Sequence, residues 1–339
     1  MFEDLLGQNT VKKALYDSVR ADRLSHAYVF CGPEGSGRKS FAAEFAKAVM
    51  CKEPRKDASP CGECTSCRLL SAGTNPDYKL ITGDVSKNSV GIDAVRLLEE
   101  DVSTAPEYGA KKVYVIDRSE KLTVQAQNAL LKTIEEPPEY VMLIFICANA
   151  DALIDTVRSR TVRLDFARNT DEEVLEIYRR RAEKTGSEEE EQIVTAYADG
   201  IIGRAVKFSG FEELSKLREE LFRVLKLLTG KRSAFIIEFN RLFSDNSDSR
   251  EFLFFELSSA LRDLMLYSRY GGVVSLQNMQ YRVTIKRLSE LFEQTVWGQM
   301  LEEVNNSWIA AGRNANYKIL VEVLAVRLRE LADGAMKNG

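Results

Sequence analysis

Two hydrophobic rhythms divide the chain. Up to Arg168, short uninterrupted apolar runs alternate with stretches of helical spacing. The runs Ala27–Cys31, Val113–Ile116 and Met142–Cys147 predict buried strands, and the apolar–polar alternation of Val162–Phe166 predicts a last one. After the first run comes a Gly-rich loop from Gly32 to Gly37, then Phe41, Ala42, Phe45, Ala46 and Val49 on one face of an expected helix. Strands separated by helices predict an α/β domain whose parallel sheet is flanked by helices. Beyond Arg168 the strand pattern stops. Thr170 and Glu173 form a capping-box pattern that opens an expected helix reaching Glu183. Past Gly210 the rhythm is helical throughout, at Leu214–Leu228, Phe252–Tyr267, Ile285–Val296 and Ile319–Leu331. Three domains are expected: residues 1–167, α/β; residues 168–210, small and helical; residues 211–339, all-helical. On the last helix Val321, Leu324, Ala325 and Leu328 share one apolar face, which suits a domain core as well as a subunit contact.

Length and composition agree with this division. A chain of 339 residues is long enough for two or three cores, and 45% hydrophobic with 29% charged residues is the balance of a soluble globular protein. The net charge of −4 argues against a protein that coats nucleic acid through many basic contacts, so any DNA contact is expected to be local. Glu3 and Asp4 in the opening segment argue against a signal peptide, and no segment approaches the ~18 continuous apolar residues of a membrane span. A cytoplasmic location without membrane partners is therefore expected. There, clustered cysteines point to a metal before a disulfide. The acidic run Glu188–Glu191 is expected to be a solvated helix start.

Candidate chemistry falls in three places. Cys51, Cys61, Cys64 and Cys67 follow the pattern C-x9-C-x2-C-x2-C, and four thiolates at short spacing satisfy tetrahedral Zn2+ with no position left for water, so a structural site (residues 51–67) is expected. A redox role for the C-x2-C pairs is the alternative, though it would not need Cys51. Cys31 and Cys147 fall in apolar strands, and His26, the only histidine, precedes one; all three are expected to be packing residues. The second place is the loop GPEGSGRKS. Gly32, Gly35 and Gly37 allow backbone N–H groups to face phosphate oxygens, but Arg38 stands where a phosphate-binding Lys is needed and Lys39 where a Mg2+-binding hydroxyl is needed. Shifting the register by one would place Lys39 and Ser40 correctly, at the expense of Arg38 in a glycine position. The companion strand ends in Asp117, suited to Mg2+, but Arg118 follows it where an adjacent carboxylate would orient water. Binding of ATP or ADP is left open by these defects; hydrolysis is not expected.

Several stretches resemble the bacterial clamp-loader family, whose AAA+ P-loop domain carries a four-cysteine zinc insertion. Ser25–Gly37 (SHAYVFCGPEGSG) resembles the family's strand and P-loop, Asn128–Glu139 (NALLKTIEEPPE) is similar to its most distinctive helix and turn, and Arg158–Thr161 (RSRT) resembles its Ser-Arg-Cys motif with Thr161 in place of Cys. The cysteine spacing is one residue longer than the family's commonest. The resemblance covers about the first 210 residues by motif, and the rest only by length and helical character. It implies an AAA+ domain, a helical lid over residues 168–210 and a helical collar for ring assembly after residue 210. It also implies roles at the third place: Arg160, with Ser159, as an arginine finger reaching ATP on a neighbouring subunit, where a guanidinium contributes ~10³–10⁵ in rate. Asn149 matches the family's first sensor position, and Arg204, after Gly203, its second. The implied partners are the motor subunits gamma or tau, the delta subunit and, through the complex, the sliding clamp and primed DNA.

Three functions are weighed. The defects at Arg38, Lys39 and Arg118 select the family's non-hydrolysing kind of subunit over its motor. A gamma- or tau-like ATPase with a tolerant loop is the enzyme alternative. A zinc-stabilised DNA-binding module on a relic AAA+ core is the third, and the absence of a basic stripe speaks against it.

Overall fold

The computed structural model describes residues 1–2, 5–82, 89–181, 187–207, 211–312 and 315–338. Its elements, in chain order, are α1 (Asn9–Arg20), β1 (Ala27–Cys31), α2 (Arg38–Met50), α3 (Thr65–Ser71), β2 (Tyr78–Ile81), α4 (Ile92–Val102), β3 (Lys112–Ile116), α5 (Val124–Glu135), β4 (Val141–Cys147), α6 (Asp155–Arg158), β5 (Val162–Asp165) and α7 (Asp171–Arg181). Then follow α8 (Glu188–Ala198), α9 (Ile202–Lys207), α10 (Phe211–Leu225), α11 (Arg232–Asp245), α12 (Arg250–Tyr270), α13 (Arg282–Ser289), α14 (Gln294–Ala311) and α15 (Tyr317–Asn338). The chain falls into two compact units, Met1–Lys184 with Ala198–Val206, and Thr185–Tyr197 with Lys207–Gly339.

In the first unit the five strands lie in the order β2-β3-β4-β1-β5, all parallel. Parallel strands need crossovers, and helices cover both faces, so the inner strands read as unbroken apolar runs. Every residue of β1, β3 and β4 is buried. Alternate side chains serve opposite faces. Val29, Tyr114, Ile116, Leu143 and Phe145 meet Val95 and Leu98 of α4 and Leu130 and Ile134 of α5. Tyr28, Phe30, Val113, Val115, Ile144 and Ile146 meet Val11 and Leu15 of α1 and Phe41, Phe45 and Val49 of α2. Each such side chain contributes about 1.5–3 kcal/mol on leaving water. β2, which the sequence pattern did not predict, is an edge strand with its side chains half-buried or exposed. The capping box forms reciprocally: Glu173 N–H donates to Thr170 Oγ1 (3.3 Å) and Thr170 N–H to Glu173 Oε2 (3.1 Å). The expected end of that helix at Glu183, and the expected boundary at Gly210, lie outside the described residues.

The second unit is helical. The acidic run does open a helix, α8, capped by Ser187 and Glu190 in the same reciprocal way. α12 packs on α14 and α13, and α15 on α14 and α11, around Trp297, Phe235, Phe239, Phe243 and Phe254. Val321, Leu324, Ala325 and Leu328 are buried in this core. The single helix expected over Ile285–Val296 is two, α13 and α14. The chain turns between them because Phe292 goes inward to lie edge-on against Trp297, with ring centroids 5.1 Å apart. No described helix is long and apolar enough to cross a membrane.

Candidate functional site

Strand polarity puts the carboxyl ends of β1, β3 and β4 on one edge of the sheet, where open α/β sheets bind their ligands. Gly32 leaves β1 with its N–H still donating to Cys147 O of β4 (3.2 Å). A Cβ there would lie 2.5 Å from Phe166 O, so only glycine fits. Gly35 and Gly37 take positive φ angles (86° and 93°), and Gly37 caps the start of α2. Arg38, 8% exposed, turns into the fold and donates to Cys147 O. Lys39 crosses to β3, its Nζ 2.6 Å from Asp117 Oδ2, while Ser40 is exposed to solvent. Arg118, in the left-handed region at φ 49°, reaches back to Glu34 of the loop, 3.7 Å away. Thus Lys39 and Asp117 meet.

Two further positions lie near this edge. Asn149 follows β4, but its Oδ1 accepts from Asp151 N–H (2.9 Å) and closes a short 3-10 turn, Ala150–Ala152. Gly203, at the start of α9, rests on the loop itself: its N–H donates to Gly35 O (2.8 Å), and a Cβ on it would lie 2.7 Å from Gly35 Cα. Arg204 is the next residue of that helix. The loop partner Glu34, the orphaned Ser36 hydroxyl, buried without a hydrogen-bond partner, and the resting place of Gly203 were not foreseen; no local pattern signals them.

The cysteines converge. Cys51 ends α2, Cys64 caps α3 and Cys67 lies in its first turn, so two helix ends carry three of the four sulfurs. All four lie within 4.8 Å of one another, with Cys51 and Cys61 at 3.5 Å and Cys61 and Cys67 at 3.9 Å. Tetrahedral bonds of ~2.3 Å require sulfurs ~3.8 Å apart, so the cluster is of the right size to hold a metal ion. N–H groups of Cys61 and Cys64 donate to the Cys51 and Cys61 sulfurs, at 3.3 Å each. Backbone N–H groups of Cys64 and Glu63 pull the Cys61 thiol down to about 6, whereas burial pushes Cys51 and Cys67 up. Cys31 and Cys147 stay in the core, facing each other across β1 and β4, and burial, with the neighbouring Cys31, holds the Cys147 thiol at about 12. His26 is half-buried before β1, away from these groups.

Arg160 lies apart from the loop. Arg158 clamps the turn to Asp151 (2.6 Å) and Asp155, and Thr161 Oγ1 donates to Arg158 O (3.0 Å). Ser159 donates to Thr156 O (3.2 Å) and accepts from Arg160. The guanidinium of Arg160, 41% exposed, lies 3.1 Å from Glu135 Oε1 at the end of α5. It is therefore a surface arginine with a carboxylate partner in its own chain.

This sheet order, with a glycine loop between β1 and α2 and an aspartate closing β3, defines a P-loop module of AAA+-like architecture. The family model described as DNA polymerase III, delta subunit, matches residues 7–170. The chain is 30% identical over 350 residues to the DNA polymerase III subunit tau of Bacillus subtilis, across 96% of this chain and 61% of that protein. It is 36% identical over 159 residues to the DNA polymerase III subunit delta' of the same organism, across 47% of each chain. A solved DNA polymerase III gamma-subunit-related protein of Thermotoga maritima aligns with TM-score 0.46 at 20% identity, over 94% of this chain and 99% of that one. These matches, which reach 61% and 47% of the lengths of the tau and delta' relatives, support a member of the bacterial clamp-loader family.

Proposed function

We propose that the chain is a delta-prime type of clamp-loader subunit: a cytoplasmic, non-hydrolysing member that assembles with gamma or tau and delta and acts on a neighbour's nucleotide. Residues 1–167 form its AAA+-like domain with a structural Zn2+ on Cys51, Cys61, Cys64 and Cys67, residues 168–210 its lid, and residues 211–339 the collar of the ring. Sliding clamp and primed DNA are met through the complex. The observation that carries the reading is Arg118: in the place of a water-orienting carboxylate stands a cation, turned onto Glu34. Gly32, Gly35, Gly37, Arg38, Lys39, Asp117, Asn149 and Arg204 are then the remains of a nucleotide site. Arg160, with Ser159 beneath it, is the working group; leaving Glu135 for a partner's phosphates exchanges one carboxylate contact for a charge that builds in the transition state.

A gamma- or tau-like ATPase is the second reading, favoured by the tau subunit's match along 96% of the chain. Purified protein given ATP and Mg2+ separates the two. No turnover sensitive to Asp117→Ala is expected; turnover at an ordinary ATPase rate that this substitution abolishes would establish the motor instead. In a complex reconstituted with gamma or tau and delta, Arg160→Ala should abolish turnover at the one site it faces, a loss of roughly 10³-fold there. Undiminished clamp- and DNA-stimulated turnover would reject the finger.

A further inference from the structure

The Mg2+ position of a P-loop is defined by two protein groups: the hydroxyl one residue after the phosphate-binding Lys and the aspartate closing the third strand. In this chain the first is Lys39 and the second Asp117, and they touch at 2.6 Å. Asp117 is buried, and the Lys39 side chain, itself largely exposed, reaches its carboxylate from the solvent side. A Mg2+ ion needs oxygen ligands at ~2.0–2.1 Å in an octahedron. It would have to occupy the point where the ammonium stands, with one protein oxygen and no hydroxyl to hold it. The residues do not fit the ion.

We propose that the Lys39 ammonium is the resident cation of this loop, a tethered charge that replaces the divalent ion and locks the loop to β3 without any ligand. A second, longer and solvent-exposed ion pair of reversed sense accompanies it. Glu34 on the loop pairs with Arg118 just past β3, so loop and strand exchange charges twice: cation to anion at Lys39 and Asp117, anion to cation at Glu34 and Arg118. In a metal-dependent module a bound nucleotide and its ion bridge the same two elements. Here side chains of the chain itself do so. Arg38, turned to Cys147 O, anchors the loop at the β4 end. An ion arriving at Asp117 would meet the Lys39 ammonium and have to displace it. The inference takes its sense from the non-hydrolysing reading, but its test measures metal occupancy and not turnover, so the two fail separately.

The test uses the full chain with its cysteine cluster loaded, and Mn2+ as an oxygen-seeking probe that does not compete for four thiolates. Mn2+ binding is followed by electron paramagnetic resonance, and melting temperature is recorded with and without Mg2+, each in the absence and presence of ADP. Wild type should show no Mn2+ binding that Asp117→Asn removes, and no melting shift with Mg2+. Lys39→Thr, which restores a hydroxyl and removes the ammonium, should bind Mn2+ about 10-fold or more tightly than wild type, and Asp117→Asn in that background should abolish the gain. Lys39→Gln, without hydroxyl or charge, should gain less than Lys39→Thr. Asp117-dependent Mn2+ binding by wild type overturns the proposal, as does a folded Lys39→Thr variant, verified by its melting curve, that binds no more tightly than wild type.

Discussion

At the cysteine cluster the four sulfurs do not hold their protons alike. Cys61 is drawn down to about 6 by the N–H groups of Cys64 and Glu63, while burial raises Cys51 and Cys67. A metal ion binds thiolates, so at neutral pH it must expel protons from Cys51 and Cys67, and below about pH 6 from Cys61 as well. Metal affinity should therefore fall as pH is lowered from 8 to 6, with the steepening below 6 coming from Cys61. Competition with a chromophoric chelator from about pH 8 to about pH 5 measures both parts of the profile, and a flat one would show that the thiols do not titrate on binding. The ligand set was legible because residue type and spacing alone define it. The partners of Arg38, Lys39 and Arg160 were not, because each depends on a group brought from a distant segment: Cys147 O, Asp117 and Glu135.

Among the elements, α7 is started by its own sequence. Thr170 and Glu173 satisfy each other's backbone donors, and Glu173 also accepts from Asn169 Nδ2 at 3.0 Å. Thr170→Ala should cost about 1 kcal/mol of stability in urea unfolding, with Thr170→Ser nearly neutral. Equal loss in both would assign the effect to the methyl group and not to the cap. The same locality made β1, β3, β4 and β5 legible to within a residue at their ends. β2 escaped because an edge strand with three half-buried residues and an exposed Leu80 needs no apolar run. The division between α13 and α14 escaped for the opposite reason: neither Gly nor Pro marks it, and the inward turn of Phe292 onto Trp297 is a tertiary decision. α11 was overlooked although Phe235, Phe239, Leu242 and Phe243 carry a readable helical spacing.

On the scale of the molecule, both units bury charge within apolar packing: Arg38, Asp77, Lys112 and Asp117 in the sheet unit, Arg218, Glu256 and Asp263 in the helical one. Arg218 Nε lies 2.8 Å from Glu256 Oε2, both nearly inaccessible, and Arg218 also donates to Asn278 Oδ1 at 2.8 Å. Burial pushes the Glu256 carboxyl up, against the pull of Arg218. Arg218→Met strands that carboxylate and should cost about 3–5 kcal/mol, while Arg218→Met with Glu256→Met should recover most of it, because a well-packed apolar pair substitutes for a buried ion pair. Calorimetric melting of the three proteins decides this; a double variant as unstable as the single would place the pair's value in its bonds to Asn278.

The meeting of Gly35 with Gly203 bears on how such a sequence drifts. Two backbones lie against each other with a hydrogen bond between them and no room for a Cβ on Gly203. The glycines are some 170 positions apart in the chain, yet neither is free to change alone. Lys39 and Arg118 meet Asp117 and Glu34 through side-chain ends, away from that junction. Side chains around the loop can thus change one at a time while the glycine contact keeps its shape.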